Sequence, residues 1–162
     1  MGLDLYADQL WILARVGLAM LLGAIIGFER ELEDKPAGLR THILVGGSAA
    51  LFVALVDIVV GSLNAKLGSD VVQSDPVRII EAVVTGVSFL GAGTIVLRRR
   101  GNQVEGLTTA ASILFTAAVG VCVALSQIVL AVGVTALVLV TLRGLGLLES
   151  WLAQHCSGAQ GD

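Results

Sequence analysis

Five runs of mainly apolar residues, each close to the roughly 20 needed to cross a bilayer as a helix, dictate what this chain can fold into. The first is Trp11–Phe28, interrupted only by Arg15. The second is Ile43–Leu63, carrying Asp57, and the third is Ile79–Leu97, with Glu81 near its start. The fourth runs from about Thr108 to Leu125 and the fifth from about Ile128 to Leu148, with Arg143 near its end. Ser126 and Gln127 alone separate these last two. The runs are too long for strands and do not alternate. Composition removes the soluble alternative. Only 14% of residues are charged and 56% are hydrophobic, against about 25% charged in a soluble domain. A chain of 162 residues also exposes too much of its surface to hide that excess from water. The expected fold is therefore all-α: a polytopic membrane protein of about five helices. Residues 1–148 form the transmembrane domain and 149–162 a short cytoplasmic tail. Asp4 and Asp8 precede the first run without any Lys or Arg, unlike a secretory signal, so that run reads as a retained span.

The loops predict a direction. Arg30, Lys35 and Arg40 follow helix 1, Arg98, Arg99 and Arg100 follow helix 3, and Arg143 closes helix 5. The opposite side holds only Lys66 and Arg78. Lys and Arg gather on the cytoplasmic side, which puts the N-terminus outside and the C-terminus inside. Cys156 would then lie in a reducing compartment. It and Cys122 form neither a disulfide framework nor a metal spacing. The formal net charge of -3 offers no basic field for nucleic acid.

Two stretches echo each other at an offset of 68 residues. Gly23-Ala24 matches Gly91-Ala92, Arg30 matches Arg98, Gly38-Leu39 and Thr41 match Gly106-Leu107 and Thr109, and Ala49-Ala50 matches Ala117-Ala118. Helices 1–2 and 3–4 would then be parallel repeats about an axis near the membrane normal.

Several motifs invite chemistry. Pro36 and Gly38 enforce a turn after helix 1, and Arg40 and Thr41 open helix 2, where a hydroxyl caps free N–H groups. Glu29, Arg30, Arg40 and Thr41 are either headgroup anchors or a polar inner mouth. Asp75 is expected to cap helix 3, with Pro76 at its first position and Arg78 as an anchor. Gly86, Gly91 and Gly93 in helix 3 serve either close packing or a local break lining a cavity. Thr108 or Thr109 is expected to cap helix 4. Thr109, Ser112 and Thr116 share one face, suited to joining helices or touching a ligand. Gly23 and Gly27 make a G-x-x-x-G, usable within one chain or between copies. Self-association is expected of a membrane protein this small.

Arg15, Asp57 and Glu81 lie in the outer half of the membrane, where charges are paired or functional. The leading expectation is an Arg15–Asp57 pair; the others are separate snorkelling, or a cation site using Asp57 and Glu81. Magnesium binds through one or two carboxylates and keeps its waters, so metal binding stays open. His42 and His155 have no partners at metal spacing and no nucleophile sits in an activating motif. No enzyme activity and no cofactor are expected.

Taken in order, Gly23 to Arg30, Lys35 to Thr41, Asp75 to Arg78, Phe89 to Gly93 and Gly106 to Ser112 resemble the MgtC/SapB family of bacterial inner-membrane proteins. The matching stretches span the first four helices. The resemblance implies a five-helix domain in the cytoplasmic membrane, linked in some members to magnesium limitation, acid adaptation and virulence. It implies regulation of other membrane proteins, the proton-translocating ATP synthase among them; the alternative is a small transporter or channel for magnesium or protons. Glu29, Arg30, Gly38, Arg40, Thr41, Asp75, Arg78, Gly91, Gly93, Gly106, Thr109 and Ala110 match its motifs. Many members continue into a soluble domain after helix 5, which is not expected here. Thr108 stands where some members have Asn, Glu105 where a basic residue is common, and Glu81 where a small one is.

Overall fold

The computed structural model describes residues 2–67, 75–97, 99–100, 103–104 and 106–156. Five helices follow in order: α1 Gly2–Leu32, α2 Leu39–Leu67, α3 Pro76–Leu97, α4 Leu107–Ala124 and α5 Ile128–Cys156. Four are long and apolar enough to cross a membrane; the described apolar part of α5 is the shorter stretch Ile128–Gly144. Most helices overrun the apolar runs that reveal them. A helix continues past the hydrocarbon until its backbone is stopped, and hydropathy does not report that stop. At the end of α1 the stop is Asp34, in the left-handed region at φ 51, followed by Pro36. Residues 149–156, expected as tail, continue α5, and 157–162 lie outside the described residues. Arg99–Arg100 and Gln103–Val104 form a small antiparallel pair, β1 and β2, between α3 and α4.

α4 is the centre of the bundle. Over half of its membrane window (56%) is buried inside the protein, against 6% for α3. α4 packs on α1, α2, α3 and α5, and α1 lies along α2. Small residues make the central contact possible. A Cβ on Gly120 of α4 would overlap the carbonyl oxygen of Gly46 on α2, and one on Gly46 would sit 2.9 Å from the carbonyl oxygen of Ala19 on α1. Three backbones therefore meet with no side chain between them, as small residues permit in membranes. Ile26, Ile113, Val119 and Val123 fill the buried space around them.

Two contacts between α1 and α2 recur between α3 and α4 at the 68-residue offset. Gly23 faces His42, and Gly91 faces Ala110. Gly27 faces Gly38, and Gly106 faces Ile95. The first turn of each second helix also repeats, with His42 N–H donating to Gly38 O at 3.2 Å and Ala110 N–H to Gly106 O at 2.8 Å.

The α4–α5 turn forms at Leu125 and Ser126, where the only polar break in the sequence stood. Ser126 takes a left-handed φ of 61, and Gln127 N–H closes on Cys122 O at 2.8 Å. Arg15 of α1 reaches this end of α4 and donates from Nη1 to Ala124 O at 3.2 Å. The expected Arg15–Asp57 pair is thus replaced by a helix C-terminus, whose unpaired carbonyls and dipole attract a cation. Asp57 is exposed. Arg15→Leu is predicted to increase opening of the Leu125–Gln127 turn about tenfold, the equivalent of roughly 1.4 kcal/mol. Amide hydrogen exchange in bicelles measures this.

Candidate functional site

Among the described residues, the buried polar groups other than Thr135 of α5 gather where the end of α1, the start of α2 and the first half of α4 meet. Glu29 and Arg30 sit in the last turns of α1, both at least 95% hidden from solvent. They are neighbours in sequence yet pair in a fork: Arg30 Nε lies 2.5 Å from Glu29 Oε2 and Nη2 lies 2.8 Å from Oε1. A buried ion pair persists when its geometry is good and its remaining donors are met.

The chain then turns. Glu31 reaches forward and accepts the Leu39 N–H on Oε2 at 2.9 Å. A carboxylate at a helix N-terminus satisfies an orphan N–H and complements the dipole. Glu31, and not Thr41, therefore caps α2. A Cβ on Gly38 would overlap the Glu31 carboxylate, so a side chain there would push this cap aside.

His42, one turn into α2, is wholly buried. Its ring is held at both nitrogens. Nδ1 is 2.9 Å from Gly38 O, and Nε2 is 3.1 Å from Ser112 Oγ on α4. Ser112 Oγ also lies 2.8 Å from Thr109 O, and Thr116 Oγ1 donates to Ser112 O at 2.8 Å. Glu29 and Arg30 both act on the ring electrostatically. α2 comes this close because α1 carries glycine at the crossing. A Cβ on Gly27 would stand 2.9 Å from His42 Cβ, and one on Gly23 2.5 Å from His42 O. The G-x-x-x-G is spent on this contact within the chain.

The residues expected from the sequence separate accordingly. Glu29 and Arg30 enter the cluster; Arg40 is exposed and Thr41 half-buried, and among the described residues neither joins it by a hydrogen bond. Thr109 and Ser112 are buried and Thr108 is exposed. Neither threonine caps α4: that position is Gly106, left-handed at φ 99 with no side-chain cap. α3 is an unbroken helix, so the local break does not occur. A Cβ on Gly91 would stand 3.3 Å from Ala110 Cβ, whereas one on Gly86 or Gly93 would meet nothing within 4 Å. Asp75 caps α3 as expected, accepting Val77 N–H on Oδ1 at 3.0 Å. Arg78 and Glu81 are exposed. Among the described residues, no group of three or more His, Cys, Asp or Glu is placed to hold a metal ion. His42 was missed because metal spacing is a local test, and its partner Ser112 is 70 residues away. The usable signal was Gly23 and Gly27, which free space for a ring on the facing helix.

A second feature lies on the flank. Between α2 and α3 lies a cleft of about 760 Å³ lined by Phe52, Val56, Val83, Gly86 and Leu90, with Arg78 also in its lining. Its lining is almost wholly apolar.

Residues 16–151 match the model of the MgtC family. The chain is 34% identical over 145 residues to an uncharacterised protein of Haemophilus influenzae, covering 90% of this chain and 60% of that one. It is 44% identical over 109 residues to the putative magnesium transporter YhiD of Escherichia coli, covering 67% of this chain and 48% of that one. It is 44% identical over 103 residues to protein MgtC of Brucella abortus, covering 64% of this chain and 38% of that one. The chain thus spans 60% or less of the length of these relatives. No solved structure matches.

Proposed function

Because the chain belongs to the MgtC family, we propose that it is a non-enzymatic inner-membrane protein that modulates other membrane proteins in ion or magnesium homeostasis. The observation that carries this reading is the α2–α3 cleft. Its lining of Phe52, Val56, Val83 and Leu90 is almost wholly apolar, with Ser48 and Arg78 the polar side chains, and offers a cation little to replace its water. An open apolar flank with Gly86 exposed suits contact with another helix. The buried polar atoms of Glu29, Arg30, His42 and Ser112 are occupied by one another, so they hold the protein together and leave no evident row of free ligands. The proton-translocating ATP synthase is one candidate partner, on the resemblance alone.

The orientation that goes with this reading has the N-terminus outside and the α1–α2 and α3–α4 connections inside. The duplicated glycine contacts support a parallel two-helix repeat. Association of several copies is compatible with both.

The name of the Escherichia coli relative favours a second reading, magnesium transport. Reconstitution separates the two. The purified protein in sealed liposomes is predicted to leave magnesium and proton flux at the level of empty vesicles, while a membrane partner co-purifies from mild detergent. Flux above that level, lost in Asp57→Asn or Glu81→Gln, would establish transport instead. Both carboxylates are exposed, so these variants are expected to fold like the parent and report on function alone.

A further inference from the structure

The hydrogen bonds around His42 cannot all be made by a neutral ring. Nδ1 faces the carbonyl oxygen of Gly38, which only accepts, so Nδ1 carries a proton. Ser112 owns one hydroxyl proton and faces two acceptors, Nε2 of a neutral ring and the carbonyl oxygen of Thr109. If it donates to Nε2, the Thr109 carbonyl loses its hydroxyl. If it donates to Thr109, two lone pairs confront each other across 3.1 Å. A ring protonated at both nitrogens resolves the conflict: Nε2–H donates to Oγ, and the hydroxyl donates to Thr109 O. The three distances are then satisfied together.

We propose that His42 is a reversible proton-binding site whose occupancy is read on α4 by the direction of the Ser112 hydroxyl. The proton adds to the Nε2 lone pair, and the Ser112 hydroxyl turns from Nε2 to Thr109 O. No other bond forms or breaks. The bond between α2 and α4 reverses polarity and becomes charge-assisted, the stronger kind.

The charged surroundings are few. From α1, Glu29 and Arg30 act on the ring with opposite signs. Glu31, also on α1, is engaged by Leu39 N–H in the turn beside Gly38. From α4, the group bonded to the ring is the Ser112 hydroxyl, with the Thr109 carbonyl beside it and the Thr116 hydroxyl turned to Ser112 O, none of which titrates. Glu29 and Arg30 carry opposite formal charges, so the proton adds one positive charge to an otherwise paired cluster. The site is a property of the chain alone and does not depend on the partner reading above.

The test is nitrogen NMR of the ring in lipid bicelles, using full-length protein carrying His155→Gln so that His42 is the sole histidine. The range from pH 8 to 5 is the one in which an imidazole changes charge. Nε2 is expected to pass from unprotonated to protonated over this range, with Nδ1 protonated throughout. Ser112→Ala removes the acceptor that favours the cation and is expected to lower proton affinity about fivefold; Ser112→Thr, which keeps a hydroxyl, restores it. A ring that holds one proton state from pH 8 to 5 overturns the proposal. So does a midpoint unchanged in Ser112→Ala.

Discussion

Gly120→Leu is expected to abolish the folded protein, leaving aggregate in place of a monodisperse peak on size exclusion in detergent. The reason is the identity of the obstacle. Any side chain at 120 would overlap the Gly46 carbonyl oxygen, with Ala49 Cβ 3.1 Å away. A flexible side chain in the way can turn aside; a backbone oxygen moves only if its helix moves. Gly46 has no room to retreat, since its other flank lies against Ala19 O of α1. Overpacking a core typically costs about 1–3 kcal/mol when side chains can adjust, so displacing three helices at once should exceed about 3 kcal/mol. That is a large share of a typical stability of about 5–15 kcal/mol. Gly133→Leu provides the control. It makes a chemically identical change in a helix of the same bundle, but a Cβ there meets nothing within 4 Å. Its elution profile and melting temperature should match those of the parent.

The second large effect concerns charge. Arg30→Met is expected to destabilise the protein by about 3–5 kcal/mol, because it leaves the Glu29 carboxylate buried without a partner. Glu29→Gln should do similar damage by stranding the guanidinium. The double variant, Glu29→Gln with Arg30→Met, carries neither charge and should recover much of the loss. Thermal unfolding of the four proteins completes a double-mutant cycle. Both carboxylate oxygens are engaged by Arg30, so the coupling should be large. Additive single effects would mean that the two groups are independently solvated.

These two predictions mark what was legible in the sequence. Five helices, the α4–α5 break at Ser126 and Gln127, and the Asp75 cap could be read directly, since each depends on residues close together in the chain. The 68-residue echo pointed to Gly23 and Gly91, and both make close helix contacts. What escaped was everything set by a crossing between distant segments. Arg15 was matched to Asp57 by depth in the membrane, but rotation about α1 turns it to the end of α4. Thr41 was expected to cap α2, yet Glu31 does so from across the turn, eight residues before the N–H it accepts. Gly86 and Gly93 looked equivalent to Gly91, and only the position of α4 shows that they meet open space. His42 carries no motif of its own; its chemistry appears once Ser112 arrives opposite.

In lipid bilayers, the dipolar coupling between a labelled Gly46 carbonyl carbon and the Gly120 α-carbon reports on this arrangement without perturbing it. Direct backbone contact between α2 and α4 predicts a strong coupling at the closest approach two helices can make. No detectable coupling, in a sample whose helices are otherwise intact, would mean that α4 does not lie against α2 at this crossing and that the polar cluster beside it is not assembled as described.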